Sequence, residues 1–310
     1  MLIAGGSSGR LRGNFSEDAS GILELRYCVC TQLPPDSDVD ASKTSWVALT
    51  DPVFDLGIED MDPRILEFHS LTHLFSNCKK LERVTDFFDT SEITDMSCMF
   101  YSCYILKEVD LSNLDTSRVT NMSNMFSGCF KLTSLDLSKF DTRRVKSGAL
   151  TSQGGMVGMF GNCKSLTELD LSSFTTGRVT SFSLMFYGCE ALTKVNLSSF
   201  DTSAIQTMDN MFYDCRSLEL LDLSNFDTSS VTSVMSMFQG CKSLKRLDLF
   251  NFNCAQVTGV NMNSMFDDCN SLSYIKCRQS FKDWCWTNAD AICLPTQMRS
   301  GGTGTWEIVK

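Results

Sequence analysis

A hydrophobic pattern recurs along most of the chain. A Met-Phe pair (Leu-Phe in the first unit) precedes a cysteine in each repeat, and successive cysteines lie 25, 26, 34, 26, 26, 26 and 28 residues apart. These ladder cysteines are Cys78, Cys103, Cys129, Cys163, Cys189, Cys215, Cys241 and Cys269. Self-similarity at such a period is typical of solenoids, because one unit cannot bury its own apolar face whereas stacked units can.

Each unit begins with a short alternating segment, seen clearly in residues 132–138. Leu135 and Leu137 fall on one side of this segment, and Asp136 and Ser138 fall on the other. Alternation with a period of two residues predicts a short, half-buried strand. Stacked units would place these strands in one parallel sheet, with the aspartate and serine positions on its exposed face.

The second part of each unit follows an Asp-Thr pair, which is a turn and capping signal. Val119, Met122, Met125 and Phe126 are then spaced by three, three and one residues, which predicts a short helix or 3₁₀ turn with its apolar side inward. The predicted fold class is therefore an α/β repeat solenoid of leucine-rich-repeat type. It has about eight units of ~26 residues, each with one short parallel strand and one short helix or 3₁₀ turn.

The ends of the chain differ from the repeats, because all five prolines and all four tryptophans lie outside them. We expect an N-terminal region or cap at residues 1–64, the solenoid at residues 65–277 and a C-terminal cap at residues 278–310. The segments 22–30 and 305–309 have strand character. Caps are expected because an open solenoid exposes an apolar face at each end.

Composition excludes several classes of partner. The net charge of −10 and the pI near 4.7 argue against nucleic acid, which requires a basic face. No run approaches the ~20 apolar residues of a membrane span, so membrane insertion is not expected. Residues 1–14 contain no apolar segment and do not resemble a signal peptide, so the sequence leaves the compartment open.

An acidic row is predicted on the exposed face of the sheet. Strand alternation places one residue of each unit in register with the next: Asp110, Asp136, Asp170, Asn196, Asp222 and Asp248. Like charges on neighbouring strands repel each other, so such a row favours a cationic partner or Ca²⁺. The alternative is that serine hydroxyls and water screen the row, and that it only keeps the face soluble. A second set of aspartates, at the Asp-Thr pairs, is expected to cap the turns.

The fourth unit contains eight extra residues between Val145 and Met156. Insertions in solenoids form loops on one face and are often functional. Arg143, Arg144 and Lys146 make this loop basic, and we expect them to form a second contact surface. Tolerated loop growth, which costs little entropy, is the alternative.

No catalytic, metal or cofactor site is expected. The recurrent setting of the ladder cysteines favours buried thiols over metal ligands, which cluster more tightly. Cys285 and Cys293 could pair as a disulfide. His69 and His73, near Cys78, lack a fourth ligand for zinc. The chain contains no nucleophile elbow, phosphate loop or dinucleotide fingerprint, so it is predicted not to be an enzyme.

The repeat consensus has a familiar form. Residues 221–232, Leu-Asp-Leu-Ser-Asn-Phe-Asp-Thr-Ser-Ser-Val-Thr, followed by Met237-Phe-Gln-Gly-Cys241, resemble the BspA-like leucine-rich-repeat surface proteins, and the resemblance covers residues 71–277. It implies a bacterial, surface-exposed solenoid that binds a protein or cell-surface ligand, as in adhesion. Phe140 and its equivalents replace the asparagine of many leucine-rich repeats, so we expect the Asp-Thr pair to hold the turn.

Two other functions remain possible from the sequence. The chain could be a structural or receptor-binding component of a phage or other mobile element, since no leader is evident. It could also be an enzyme whose chemistry lies in the terminal regions. A non-catalytic binding module for adhesion or protein–protein recognition is the preferred interpretation.

Overall fold

The computed structural model describes residues 70–79, 81–84, 90–148 and 154–309, together with the backbone of four short strands nearer the N-terminus. In this part of the chain each sequence repeat forms one coil, and most coils contribute one short strand that pairs in parallel with a neighbour. The predicted parallel solenoid with one strand per unit is thus confirmed. Residues 132–138, predicted to be a strand, form none, and the strands make several small sheets instead of the one parallel sheet expected. His69, the loop residues 149–153 and residues 32–43 of the predicted N-terminal region lie outside the described residues.

The N-terminal strands are β1 Leu2–Ile3, β2 Phe15–Glu17, β3 Leu23–Leu25 and β4 Cys28–Val29. Strand β1 pairs with β4 in parallel, and β2 pairs with β3 in antiparallel orientation. Strands β3 and β4 both fall within residues 22–30, so the segment predicted to be a single strand is divided into two short strands of different sheets.

The solenoid strands are two to four residues long: β5 Arg83–Val84, β6 Glu108–Val109, β7 Glu168–Asp170, β8 Lys194–Asn196, β9 Leu220–Asp222, β10 Arg246–Leu249 and β11 Tyr274–Cys277. Strand β5 pairs with β6, β7 pairs with β8, and β9, β10 and β11 follow one another in a larger sheet. A last strand, β12 Thr305–Ile308, pairs in parallel with β11, which confirms the strand predicted near the C-terminus. We call the outward side chains of these strands the sheet face.

Two ladders of phenylalanine fill the core between the two sides of each coil. In the longer ladder the rings of Phe186, Phe212 and Phe238 are stacked with centroids 5.3 and 5.9 Å apart, and all three side chains are buried. In the second ladder Phe200 and Phe226 are stacked at 6.3 Å. Identical residues thus meet across the coil interface, so the core is a periodic stack of flat rings in offset contact.

The side of the coil opposite the strands, for example residues 207–215, forms no helix, although the sequence predicted a short helix or 3₁₀ turn there. It is a series of tight turns, in which Met211 N–H donates to Met208 O (3.2 Å) and Cys215 N–H donates to Phe212 O (3.1 Å). The intervening N–H groups point to the next coil, as in the 2.9 Å bond from Phe212 N–H to Met237 O. We call this part of each coil the turn wall.

Left-handed backbone explains why the turn wall is not helical. In the coil at residues 207–215, Asn210 and Asp214 both have φ near 56°. Such residues end a right-handed helix and create type II-like turns. Two positive-φ residues, four apart, recur in each turn wall that the structure describes. Among the repeats described, a 3₁₀ helix occurs only at Gly259–Met262, in the last unit.

Small and larger side chains alternate at the residue before the ladder cysteine. Six consecutive coils carry Gly128, Asn162, Gly188, Asp214, Gly240 and Asp268 at this position. All three glycines have positive φ. A Cβ atom built on Gly188 or Gly240 would overlap a side-chain oxygen of the coil before it, from Asn162 or Asp214 respectively. Gly188 and Gly240 therefore make room for the longer residue of the coil before them.

The Asp-Thr pairs hold neighbouring coils together as predicted. The Thr116 hydroxyl is buried, donates to Asp141 O at 3.2 Å and accepts from Asp141 N–H at 2.8 Å. Thr90, Thr142 and Thr228 make the same two bonds to the next coil. A single hydroxyl thereby pairs with both the backbone N–H and the backbone C=O of one residue in the next coil. This contact replaces the missing asparagine ladder.

Substitution of Thr116 by valine is expected to lower the free energy of unfolding by about 2–4 kcal/mol, because it leaves the N–H and C=O of Asp141 unpaired beside a buried side chain. Thr116→Ser, which keeps the hydroxyl and loses one methyl group, should cost about 1 kcal/mol. Urea denaturation of both variants measures the difference. Equal destabilisation by serine and valine would show that the hydroxyl contributes little.

The C-terminal residues pack on the last coil. They form helix α1 Gln279–Thr287, a 3₁₀ helix at Thr296–Met298 and strand β12. Phe281 of α1 meets Phe252 edge to face at 5.8 Å, and Phe266 N–H donates to Ile292 O at 2.9 Å. Cys285 and Cys293 are both free, so the disulfide considered for this pair does not form.

Candidate interaction surfaces of the solenoid

The residues of the acidic row lie at or near the carboxyl ends of the strand segments. Asp110, Asp136, Asp170 and Asp222 are exposed, whereas Asn196 and Asp248 are half-buried. The residues pair in register across neighbouring strands, Asp170 with Asn196 and Asp222 with Asp248. Each residue of the row accepts a bond at Oδ1 from the backbone N–H two positions on: Ser112 (2.9 Å), Ser138 (3.0 Å), Ser172 (3.0 Å), Ser198 (3.2 Å), Ser224 (2.9 Å) and Phe250 (3.1 Å).

These local bonds keep the carboxylates charged. Hydrogen bonds from Ser112 hold the pKa of Asp110 below its ordinary value, and bonds from Ser172 do the same for the pKa of Asp170. The pKa of Asp136 is lowered in the same way by Ser138. The repeated Asp-x-Ser spacing is the sequence signal of this turn, and it gives the aspartates a structural role that the analysis of strand alternation alone missed.

The acidic row is not uniformly negative. Asn196 Nδ2 donates to Asp170 Oδ1 at 2.9 Å, and Lys276 Nζ forms an ion pair with Asp248 at 2.9 Å. Lys139 adds a positive charge near Asp110 and Asp136. The row therefore has cations near both ends and an uncharged residue at position 196.

Outside the acidic row, the sheet face carries exposed ion pairs and one large exposed apolar side chain. Exposed ion pairs such as Arg83–Glu108 (2.7 Å) occur near its start, and Lys245–Glu219 (2.9 Å) occurs further along. Leu220 is 63% exposed on strand β9. The sheet face therefore combines exposed charged pairs with one large exposed apolar side chain.

The second set of aspartates caps turns, which confirms that prediction. Asp115, Asp201 and Asp227 each accept at Oδ1 from the backbone N–H two residues on, at 2.8, 3.0 and 2.8 Å. All three side chains are exposed. They carry the same charge as the acidic row and make the same local bond, but they stand at a different corner of the coil.

Arg143, Arg144 and Lys146, which we call the basic loop edge, lie at the start of the insertion. Arg143 binds Asp141 with two nitrogen atoms, at 3.0 Å from Nε and 2.6 Å from Nη2, so its charge is largely neutralised. Arg144 and Lys146 are exposed, and neither side chain forms an ion pair within the described part of the chain. A shallow pocket here is lined by Ser117, Arg118, Asp141, Arg143 and Arg144.

The ladder cysteines are buried, as the sequence predicted. Each thiol from Cys103 onward donates to the carbonyl of a phenylalanine in the preceding coil, as Cys215 does to Phe186 O at 3.2 Å. Burial raises the pKa of Cys189 to about 12. Such thiols are protonated at neutral pH and are poor nucleophiles or metal ligands.

Other functional features are few in the described regions. No group of three His, Cys, Asp or Glu side chains there has the geometry to hold a metal ion. His73 lies at the start of the first described coil, and its Nδ1 is buried without a hydrogen-bond partner there. None of the described helices combines the length and the apolar character that a membrane span requires.

Comparison with known proteins gives a family and one structural likeness. No curated protein sequence matches this chain. A leucine-rich repeat protein from Bacteroides ovatus is structurally similar, with a TM-score of 0.33 and 16% identity over 87% of this chain and 82% of that chain. Residues 69–150 and 154–281 match the family model described as "Mycoplasma protein of unknown function, DUF285". Because this match covers most of its length, the chain belongs to the DUF285 family.

Proposed function

We propose that this protein is a non-catalytic recognition module that binds a protein or cell-surface ligand through its sheet face, in the manner of a BspA-like adhesin. The observation that carries this proposal is the acidic row, in which exposed carboxylates follow one another from coil to coil. The partner would present lysine or arginine side chains along an extended surface. Strands ~4.8 Å apart offer a regular series of contacts to such a partner.

Persistent charge supports a role in binding. Carboxylates on adjacent strands repel one another, and the local serine bonds keep them ionised. Asparagine makes the same turn bond at position 196, so the turn does not require a negative charge. Charge in the remaining coils would therefore serve to attract a cationic surface and to increase the rate of association.

The absence of catalysis is part of the proposal. The ladder thiols are protonated, and His73 is the one histidine within the described residues. The basic loop edge, Arg144 and Lys146 together with Arg143, would provide a second contact for an acidic part of the same partner.

The acidic row can be tested by removing charge without removing the turn bonds. In Asp136→Asn/Asp170→Asn/Asp222→Asn, each amide oxygen still accepts the backbone bond, as it does at Asn196. The partner is a host-surface or matrix protein isolated by pull-down with the wild-type protein. We expect the affinity for this partner to fall about tenfold, because three exposed charge contacts are lost. Binding isotherms of the purified pair at two salt concentrations measure this effect.

The matched control is Asp115→Asn/Asp201→Asn/Asp227→Asn, which removes the same number of charges from capping aspartates at the other corner. It should bind like the wild type. Equal loss in both triple variants would mean that only net charge matters. Unchanged binding in the acidic-row variant, with loss in Arg144→Ala/Lys146→Ala, would move the contact to the basic loop edge.

A further inference from the structure

The turn wall holds one bulky aliphatic residue in a left-handed conformation. Leu184 has φ of 63°, which is unfavourable for a branched side chain. The equivalent positions of the other coils carry His73, Cys98, Asn124, Gly158, Asn210, Ser236 and Ser264. Leu184 is also 38% exposed, so core packing alone does not account for a leucine at this position. Strained residues of this kind concentrate at functional sites.

Leu184 belongs to a group of apolar side chains on three successive coils. Its N–H donates to Asp209 O in the next coil at 2.9 Å, and Met235 in the coil after that is also 38% exposed. Three residues further along the wall, the rings of Tyr187 and Tyr213 stack with centroids 4.8 Å apart. We call Leu184, Tyr187, Tyr213 and Met235 the turn-wall patch.

Carboxylates surround the turn-wall patch. The carboxylate of Asp209 accepts from Met235 N–H at 2.9 Å, directly beside the exposed methionine. Burial raises the pKa of Tyr213, followed by the charges of Asp214 and Tyr187, whereas Arg216 lowers it and Asp267 also raises it. Arg216 is itself paired with Asp214 at 2.9 Å and with Glu190 at 3.1 Å. The patch therefore combines an apolar centre with a negative rim.

We propose that the turn-wall patch is a second interaction surface, which binds a segment of another protein that carries apolar side chains between lysines or arginines. Apolar groups of the segment would bury Leu184 and Met235, and its cations would meet Asp209 and the tyrosine rings. This surface lies on the wall opposite the sheet face, and it does not depend on the acidic row.

Leu184→Asn tests the proposal, because asparagine already occupies the equivalent left-handed position at Asn210. The melting temperature should therefore be equal to or higher than that of the wild type. The probe is a fluorescent 12-residue peptide of alternating Leu and Lys, with Ser-Lys and Leu-Glu peptides as comparisons. We expect Leu184→Asn to bind the Leu-Lys peptide at least about fivefold more weakly than the wild type, and Met235→Ser to do the same.

The matched control is Leu220→Asn, the same substitution at an exposed leucine of the sheet face, and it should leave peptide affinity unchanged. The wild type should bind the Ser-Lys and Leu-Glu peptides at least about fivefold more weakly than the Leu-Lys peptide. The proposal is overturned if the Leu-Lys peptide does not bind, if Ser-Lys binds equally well, or if both patch variants bind like the wild type. A dimer that dissociates in Leu184→Asn would show that the occupant is a second copy of this chain.

Discussion

The protein is expected to unfold cooperatively between about pH 9 and pH 11, at a temperature where it is stable at pH 8. The cause is the column of eight ladder cysteines, one per coil. Burial raises the pKa of Cys78, Cys189 and Cys269 from 9.0 to about 12, and it raises the pKa of the other five ladder thiols well above 9.0. In the unfolded chain the ladder thiols ionise near pH 9, whereas in the folded chain they stay protonated.

The sign of the effect follows from proton binding. Above pH 9 the folded state holds more protons than the unfolded state, so rising pH favours unfolding. Stability is fully present below the unfolded pKa of 9.0 and is lost as pH rises towards the folded pKa near 12. Each thiol contributes about 1.4 kcal/mol per pH unit, so eight contribute about 11 kcal/mol per pH unit. That equals the whole stability of a typical domain.

Denaturant unfolding measured at half-unit steps from pH 8 to pH 11 tests this expectation. Lysine and tyrosine also titrate in this range, so the thiol contribution is isolated with Cys189→Ala/Cys215→Ala/Cys241→Ala. This variant should start less stable but lose stability more slowly, by about 4 kcal/mol per pH unit. Cys293→Ala, at a partly exposed thiol, should change the slope little. A flat profile in the wild type would contradict the explanation.

Replacement of Phe212 by alanine is expected to lower the free energy of unfolding by about 3–5 kcal/mol. The ring is fully buried and stacks between Phe186 and Phe238, so its removal leaves a cavity that rigid neighbouring coils cannot close. Because each coil contacts only its neighbours, the loss falls at one point of the stack and weakens the two interfaces there. Chemical denaturation followed by circular dichroism measures the change.

Phe266 provides the matched control for Phe212. Its ring is also fully buried, but it stacks on one phenylalanine, Phe238, at 5.6 Å, and a C-terminal segment follows it. Phe266→Ala should therefore be milder by about 0.5–1.5 kcal/mol, the contribution of one aromatic pair. An equal cost at both positions would indicate that cavity formation alone, without ring stacking, determines the loss.

The sequence predicted the structural features that recur once in every repeat. Alternation around Leu135 and Leu137 placed the exposed aspartates correctly, although residues 132–138 themselves form no strand, and the fixed setting of the cysteines predicted their burial. The Asp-Thr pair was correctly expected to hold the turn, because its threonine replaces the absent asparagine. These features repeat from coil to coil, so each is supported by several independent copies in one chain.

The turn wall could not be predicted from apolar spacing. Steps of three residues fit a helix and a series of tight turns equally well, and backbone torsion angles decide between them. The available signal was the residue before each ladder cysteine, which is Gly, Asn, Asp or Ser, the types that accept positive φ. No other coil has a leucine at the position equivalent to Leu184, so a consensus of the eight units does not show it.

The alternation of glycine with asparagine or aspartate has a consequence for how such a chain can grow. The structural unit of the solenoid is a pair of coils of about 52 residues. One coil provides the Asn or Asp side chain, and the next coil has the glycine that leaves room for it. Duplication of a whole pair would extend the solenoid without a clash. Duplication of a single coil that carries Asn162 or Asp214 would bring two long side chains into the space of one. Lengthening in steps of two would therefore be favoured in the evolution or the engineering of this family.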